Sequence, residues 1–300
     1  MTPDASGCWE WPATYDFFET TRLLRTGRGD PTVRREPDGL WRTARLTSGP
    51  ATVRLHSIPG QRIEAIAWGA GASEAVTKVS RWLGLAEPPM RLPAHPATDR
   101  LLRDRPGVRL ADTGDLYEAL LVFTLQQLVT WNEAAYNWRR LVETFGEPAP
   151  GPAGLRLIPS PQRLRQAAPD TLVGLGINRQ QARTLREIAL SARGVRAAAA
   201  LPTDEAMRLL QHVPGVGPWT AASALGFRLG RPDPVIVGDA SLPHAVAWAL
   251  AGEPRATDAR MIELLGRFPG QAFEVIRLVH AARIDAPRRS HKRRIVFGRH

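Results

Sequence analysis

The spacing of hydrophobic residues changes along this sequence, and that change limits the folds the chain can adopt. Ala51, Val53 and Leu55 alternate with polar residues, which is typical of a half-buried strand. Similar segments, bounded by glycine and proline turns, predict strands at residues 40–46, 51–58 and 62–68. The apolar residues then take helical spacing over residues 73–85. The chain is therefore expected to fold as α+β, with its strands in the N-terminal part.

Proline residues break the chain near residue 93, and helical spacing dominates beyond that point. One continuous helix is predicted over residues 115–145. Further helices are predicted at residues 161–168, 178–193, 203–212 and 218–229. We therefore expect three parts: a β-rich domain over residues 1–93, an all-α region of two subdomains over residues 94–285, and a basic tail over residues 286–300.

The charge balance favours a polyanionic partner. Lys and Arg outnumber Asp and Glu by 40 to 29, which gives a formal net charge of +11 at pH 7. Nucleic acid is the first candidate, because each phosphate that a basic protein neutralises releases condensed counterions. An arginine-rich composition without such a partner is the alternative interpretation. The tail over residues 286–300 likewise fits either a solvated end or additional phosphate contacts.

The cysteine content and the apolar runs exclude several classes of protein. Cys8 is the single cysteine, so neither an intramolecular disulfide nor a cluster held by several thiolates is expected. No apolar run reaches the roughly 18 residues of a membrane span, and residues 1–20 lack the features of a secretory signal. We therefore expect no membrane association and a cytoplasmic, nucleoid-associated location.

A glycine-rich turn joins two of the predicted helices. It consists of Pro214, Gly215, Val216 and Gly217, and Pro218 follows at the first position of the next helix. Both glycines are expected to adopt positive φ and to let the backbone come close to a partner. Because the first turn of a helix has unpaired N–H groups and the positive end of the helix dipole, this turn predicts a phosphate-binding hairpin.

A single carboxylate, Asp239, closes the apolar run that begins at Val235. It could cap the helix that carries Leu242, and a helix N-terminus would favour its ionised form. An ionised carboxylate can oppose positive charge that develops on a sugar, so capping and catalysis are compatible roles.

The hairpin, with Asp239 22 positions after Gly217, resembles the helix-hairpin-helix superfamily of DNA glycosylases, most closely its 3-methyladenine DNA glycosylase II branch. The resemblance extends over nearly the whole chain and implies a β-rich front domain followed by a helical core. It implies a monofunctional base-excision repair enzyme that releases alkylated purines, of the 3-methyladenine and 7-methylguanine type, from duplex DNA. Asp239 would be its catalytic carboxylate, and no cofactor would be required. A monomer is the default expectation.

The resemblance also implies roles for two side chains, whereas Trp131 departs from the small apolar residue expected at its position. Within Leu125–Thr130, Leu128 would be the wedge that fills the gap left by a flipped nucleotide, with core packing as the alternative. Trp219 stands where family members of the oxidised-base type carry a nucleophilic lysine, and it would line the base pocket and stack on an alkylated base. Trp131 would shape the same pocket, unless it faces solvent.

The family hairpin also binds a monovalent cation, Na⁺ or K⁺. By the resemblance, the backbone carbonyls of Gln211, Val213 and Val216 would hold this cation. No constellation for a transition metal is evident. Two rival functions remain open: a catalytically inert protein that binds bent or damaged DNA, suggested by Ala240 and Ser241 after the aspartate, and an oxidised-base enzyme, disfavoured by Trp219.

Overall fold

The computed structural model describes residues 1–287, and it opens with an antiparallel sheet. The five strands lie in the order β1-β5-β4-β3-β2. Their bounds are β1 (Ala5–Glu10), β2 (Val33–Glu36), β3 (Gly39–Leu46), β4 (Gly49–Ile58) and β5 (Arg62–Trp68). A short helix, α1 (Phe17–Thr21), lies between β1 and β2, and α2 (Ala72–Trp82) packs on the sheet. The predicted strands and the α+β class are confirmed.

The rest of the described chain is mainly helical. Its helices are α3 (Pro96–Asp104), α4 (Leu116–Leu125), α5 (Trp131–Phe145), α6 (Pro161–Gln166), α7 (Pro169–Gly174), α8 (Arg179–Leu190), α9 (Ala192–Ala198), α10 (Thr203–Leu210), α11 (Pro218–Ser223), α12 (Leu242–Ala251), α13 (Asp258–Leu265) and α14 (Ala272–Ala281). Two short strands, β6 (Glu147–Pro148) and β7 (Arg156–Leu157), pair between α5 and α6.

The prediction of one helix over residues 115–145 is wrong, because the chain leaves the helical path between α4 and α5. Leu128 has a φ of 59° there. The Gln181 side chain donates hydrogen bonds to the carbonyls of Leu125 and Gln127, at 3.3 and 3.0 Å, and so satisfies groups that a continuous helix would have paired. Thr130 then caps α5 by accepting from the Glu133 N–H.

Other helix boundaries also differ from the predictions. The segment 178–193 divides into α8 and the start of α9, and α11 continues into a π-helical segment, Ala224–Arg228. The boundary near residue 93 stays a prediction. So do the cytoplasmic location and the monomeric state. Most of the predicted basic tail lies outside the described residues. Within residues 1–287, no helix combines the length and the apolar character needed to cross a bilayer.

A buried ion cluster joins the sheet to the helical part. Glu118 on α4 lies 3.1 Å from Arg42 on β3 and 3.4 Å from Arg228, the last residue of the π-helical segment. All three side chains are almost completely buried. Burial raises the pKa of Glu118, and the two guanidinium groups act against that rise by favouring the carboxylate. The cluster therefore balances charges that would be costly if they were separated.

Replacing Glu118 by Gln should strongly lower the free energy of unfolding, because two buried guanidinium groups would lose the carboxylate that balances them. Breaking a buried ion pair costs about 3–5 kcal/mol, and urea titration of the purified variant measures it. Glu143→Gln is the matched control. It breaks a solvent-exposed pair with Arg139, and solvent screening should leave stability almost unchanged. Equal stability of the two variants would contradict the structural role of the cluster.

Candidate active site

The glycine-rich hairpin lies between α10 and α11, as the sequence predicts. Gly215 has a φ of 86°, and a Cβ at this position would collide with the Thr184 hydroxyl. Gly217 differs from the expectation: its φ is −88° and its ψ 178°, so it is extended rather than left-handed. A Cβ on Gly217 would meet nothing within 4 Å. The protein's own packing therefore requires a glycine at 215, whereas the glycine at 217 leaves open space in front of α11.

Asp239 lies just before α12 and is half-buried. Its Oδ1 accepts hydrogen bonds from the backbone N–H groups of Ser241 and Leu242, both at 2.9 Å, and from the Ser241 hydroxyl at 3.2 Å. The expected capping contacts are thus present. The preceding residue, Gly238, is left-handed with a φ of 79°, and its N–H donates to Asp258 at 2.8 Å. Hydrogen bonds of Gly238 on one side and of Ser241 and Leu242 on the other therefore hold the carboxylate in place.

The indole of Trp219 connects the hairpin helix to Asp239. Its Nε1–H donates to Oδ2 of Asp239 at 3.0 Å. Partial burial acts to raise the pKa of Asp239, but the hydrogen bonds from Ser241, Trp219 and Leu242 outweigh it and hold the pKa below the ordinary value for aspartate. Asp239 is therefore ionised at neutral pH, and it would lose its charge only as the pH falls through that lowered pKa.

A cavity of about 730 Å³ with aromatic walls includes Phe123 in its lining, and neither Trp219 nor Asp239 lines it. Phe123, Trp131, Tyr136 and Phe227 line it, together with Gln126 and His280. Trp219 does not line the cavity, but its ring packs edge-on against Phe123, with ring centroids 5.9 Å apart. Of the two predicted pocket residues, Trp131 therefore forms a wall, and Trp219 supports one. Trp131 lines this cavity and also faces solvent, since 49% of its surface is exposed.

The polar groups of the cavity are mainly basic. His280 contacts Arg22, with 3.1 Å between Nδ1 and the guanidinium nitrogen. Burial, and then the nearby charges of Arg22, Arg277 and Arg283, lower the pKa of His280 to about 3, so its imidazole is neutral at physiological pH. Sequence reasoning missed Phe123, Tyr136 and Phe227, because helical spacing alone cannot separate a cavity wall from the core.

Leu128 is fully exposed, at 102% of its reference surface, so the alternative of core packing is wrong. The neighbouring side chain, Gln127, ties this exposed residue to the hairpin. Its Nε2 donates to the Gly215 carbonyl at 3.0 Å and to the Thr220 hydroxyl at 2.8 Å. The structure thus places the exposed leucine next to the hairpin, although the two are far apart in sequence.

Comparison with known proteins identifies the family. Residues 122–269 match the family model described as "HhH-GPD superfamily base excision DNA repair protein". The matched segment, residues 122–269, belongs to this superfamily. Over 152 residues it is 34% identical to DNA-3-methyladenine glycosylase 2 of Escherichia coli (strain K12), a match that covers 50% of this chain and 53% of that protein. The chain thus spans about half the length of this curated relative.

Two solved structures share the fold. A 3-methyladenine DNA glycosylase from Archaeoglobus fulgidus superimposes with a TM-score of 0.78 at 18% identity, covering 92% of this chain and 98% of that one. The apo-form of 8-oxoguanine glycosylase/lyase from Clostridium acetobutylicum gives a TM-score of 0.68 at 14% identity, covering 94% and 99%. Proteins named for two different lesions therefore have this architecture, and the fold alone does not decide between them.

The carbonyl groups predicted to hold a monovalent cation are compatible with that role. The Val213 carbonyl accepts one hydrogen bond, from the Val216 N–H at 3.0 Å. Within residues 1–287, the carbonyls of Gln211 and Val216 accept none outside regular helices and strands. Carbonyl oxygens without N–H partners suit a hard cation, and the monovalent-cation site itself stays a prediction.

Of the valine substitutions at the two hairpin glycines, only the one at Gly215 should lower stability. Gly215→Val combines a left-handed backbone with a collision against Thr184, so its thermal midpoint should fall by several degrees, as expected for a strained residue that costs about 1–3 kcal/mol. Gly217→Val places its side chain in open space on an extended backbone and should melt like the wild type. Calorimetry checks both. A strongly destabilised Gly217→Val protein would contradict the described geometry.

Proposed function

We propose that this protein is a monofunctional DNA glycosylase that hydrolyses the N-glycosidic bond of alkylated purines in duplex DNA. The observation that carries this proposal is the hydrogen bond between Trp219, on the helix that follows the hairpin, and the ionised carboxylate of Asp239. The family match and the relative named DNA-3-methyladenine glycosylase 2 support the reaction class. In this proposal the hairpin binds the DNA backbone, and Asp239 acts on the sugar of the damaged nucleotide.

Asp239 would accelerate base release by electrostatic stabilisation. As the base leaves, positive charge grows on the sugar, and a fixed carboxylate interacts more strongly with that charge than with the neutral ground state. The hydrogen bonds to Oδ1 keep the carboxylate ionised and fixed, so little reorganisation is needed at the moment of reaction. Asp239 would also orient the attacking water.

The aromatic cavity would receive the flipped base. Trp131 and Tyr136 are exposed aromatic rings that can stack on a purine, and Phe123 and Phe227 close the inner wall. Alkylation at N3 or N7 makes the purine a good leaving group, so the mechanism depends less on a general acid than on the carboxylate and on exclusion of water. The neutral His280 adds no positive charge to this wall.

Leu128 would act as the wedge in the duplex. An apolar side chain that is fully exposed on a left-handed residue is costly, and such strain is typical of functional positions. Gln127 fixes the wedge to the hairpin, so phosphate binding and insertion would occur in a fixed relative geometry. When bound at the carbonyls of Gln211, Val213 and Val216, a monovalent cation would add positive charge to the phosphate-binding surface.

A tryptophan at position 219 disfavours an oxidised-base enzyme with lyase activity, because an indole cannot form a Schiff base with the sugar. A second candidate function is a catalytically inert protein that binds bent or damaged DNA. Ala240 and Ser241 after the carboxylate favour it, because close relatives in the branch that the sequence resembles often carry an aromatic and a polar residue there. Release of free base from methylated duplex DNA distinguishes the two functions, since an inert protein would bind without release.

Binding to undamaged duplex DNA should depend on the open space in front of α11. Gly217→Val should weaken binding by about tenfold for every DNA sequence alike, because one charge-assisted backbone contact is lost. Log affinity of the wild type should fall linearly with log salt. Fluorescence anisotropy measures both effects. Since Gly217→Val is expected to fold normally, unchanged affinity would show that the hairpin does not contact DNA.

Asp239→Asn should abolish base release and leave DNA binding nearly intact. Asparagine keeps the size and a capping oxygen, but it lacks the charge that opposes the cationic sugar, so single-turnover release from methylated duplex DNA should fall about a hundred- to a thousandfold, roughly 3–4 kcal/mol. Asp233→Asn is the matched control in the same loop. Asp233 accepts a hydrogen bond from Thr203 at 2.7 Å, outside the site, and its substitution should leave the rate unchanged.

The outcome for Asp239→Asn also tests the alternative role. If this variant releases methylated purines within about threefold of the wild type, against the far larger loss expected for a preorganised charge, Asp239 is only a helix cap.

A further inference from the structure

A second large cavity, of about 750 Å³, lies between the N-terminal sheet and the helical part. Its walls come from the end of α2, the connection over residues 84–91, the segments 109–112 and 229–232, and the start of α14. None of its lining residues lines the aromatic cavity. The proposed glycosylase reaction uses none of them.

Arg109 is the unusual residue of this cavity. In the part of the chain that the structure describes, four arginines are buried: Arg42, Arg109, Arg228 and Arg277. Three of them have a carboxylate partner, because Arg42 and Arg228 share Glu118 and Arg277 lies 3.0 Å from Glu19. Arg109 is 6% exposed and forms no such pair within residues 1–287. A buried guanidinium without a counter-charge is energetically costly.

The polar contacts of Arg109 do not compensate its charge. In the described part of the chain, its buried Nε has no hydrogen-bond partner, and Nη1 makes one long contact, 3.4 Å, with the Glu87 carbonyl. Tyr15 is the nearby titratable group, but burial raises the pKa of its phenol, which donates to the Leu83 carbonyl at 2.7 Å. The phenol is therefore neutral and adds no negative charge beside Arg109.

Three acidic residues line the cavity, and within residues 1–287 none of them forms an ion pair with Arg109. Asp112 accepts from Arg81, at 2.6 Å, and from the Gly114 N–H, at 2.7 Å. Glu274 accepts from Gln271 at 2.7 Å, and burial raises its pKa. Glu87 is exposed on the connection. Within residues 1–287, the Arg231 guanidinium donates to the carbonyls of Ala199 and Leu201 and forms no ion pair, so it is a second guanidinium without a counter-charge.

We propose that this cavity binds a small molecule with a phosphate or carboxylate group, and that the buried guanidinium of Arg109 pairs with that group. Planar guanidinium groups bind such oxyanions through paired hydrogen bonds. The volume is large enough for more than the anionic group, and an adjoining cavity of about 230 Å³ shares Arg81 and Arg231 and adds Lys78 and Arg196. This proposal is independent of the glycosylase proposal, since the two cavities have separate walls.

Thermal unfolding of the full chain tests the proposal. In a phosphate-free buffer at constant ionic strength, inorganic phosphate should raise the wild-type melting temperature saturably, as expected for a ligand that binds the folded state alone. Parallel titrations use deoxyadenosine 5′-monophosphate as an esterified phosphate and malonate as a dicarboxylate. Comparing the three shifts in melting temperature shows whether the site prefers one of these ligands to inorganic phosphate. A saturable shift with any of these anions supports the site, provided that it depends on Arg109.

Arg109→Met should remove the shift, and without added anion its melting temperature should be no lower than that of the wild type. Arg277→Met is the matched control for a buried arginine. It should lower the melting temperature, because Glu19 loses its buried partner, and it should keep the shift with phosphate. A second variant, Arg109→Lys, retains the positive charge but lacks the planar guanidinium with its paired N–H donors. It should bind phosphate about tenfold more weakly by calorimetric titration.

Any of three results would overturn the proposal. The first is a wild-type protein whose melting temperature shows no saturable response to any of the three anions. The second is an anion-dependent shift of equal size in Arg109→Met, and the third is equal calorimetric affinity in Arg109→Lys; either would assign the anion to another basic surface.

Discussion

The ion cluster of Glu118, Arg42 and Arg228 is the interaction on which the arrangement of this protein depends. A buried carboxylate must be paired, and here its two partners come from distant parts of the chain: β3 and the end of the π-helical segment. Arg228 also donates to the Leu24 carbonyl at 3.0 Å and to Thr26 at 2.6 Å. Through Arg42 and Arg228, Glu118 of α4 thereby connects the sheet, the N-terminal loop and the segment that continues the hairpin helix.

The position of the candidate active site follows from that constraint. The π-helical segment continues α11, and α11 carries Trp219, so anchoring Arg228 also orients the indole that donates to Asp239. From the other side, Gln127 holds the loop of Leu128 against the hairpin through Gly215 and Thr220. The exposed wedge candidate, the hairpin and the carboxylate therefore form one hydrogen-bonded unit, although they come from three separate segments.

The same fold occurs in structures named for alkylated and for oxidised bases, so the lesion must be selected by side chains rather than by architecture. In this chain the distinguishing features are local. An indole occupies position 219, and aromatic rings line the neighbouring cavity. His280, which also lines that cavity, is held neutral by burial. These features support a carboxylate-assisted hydrolysis in which a stacked base leaves, without a covalent amine intermediate.

The sequence by itself determined the α+β class, three of the five strands of the sheet, the hairpin between two helices and the position of the carboxylate along the chain. These features depend on local spacing and on residues with restricted backbone preferences, which act over a few neighbours. Only the tertiary structure decided that residues 115–145 form two helices, because the break depends on Gln181, a residue of α8 that binds the freed carbonyls.

Tertiary structure also decided the surroundings of each site. Gly215 must be glycine because of Thr184, and Phe123 becomes a cavity wall because Trp219 packs on it. Within residues 1–287, Arg109 is buried without an ion-pair partner, and the folded chain brings the phenol of Tyr15 to its side. Such contacts join residues far apart in sequence, and neither periodicity nor a short motif contains information about partners at that distance.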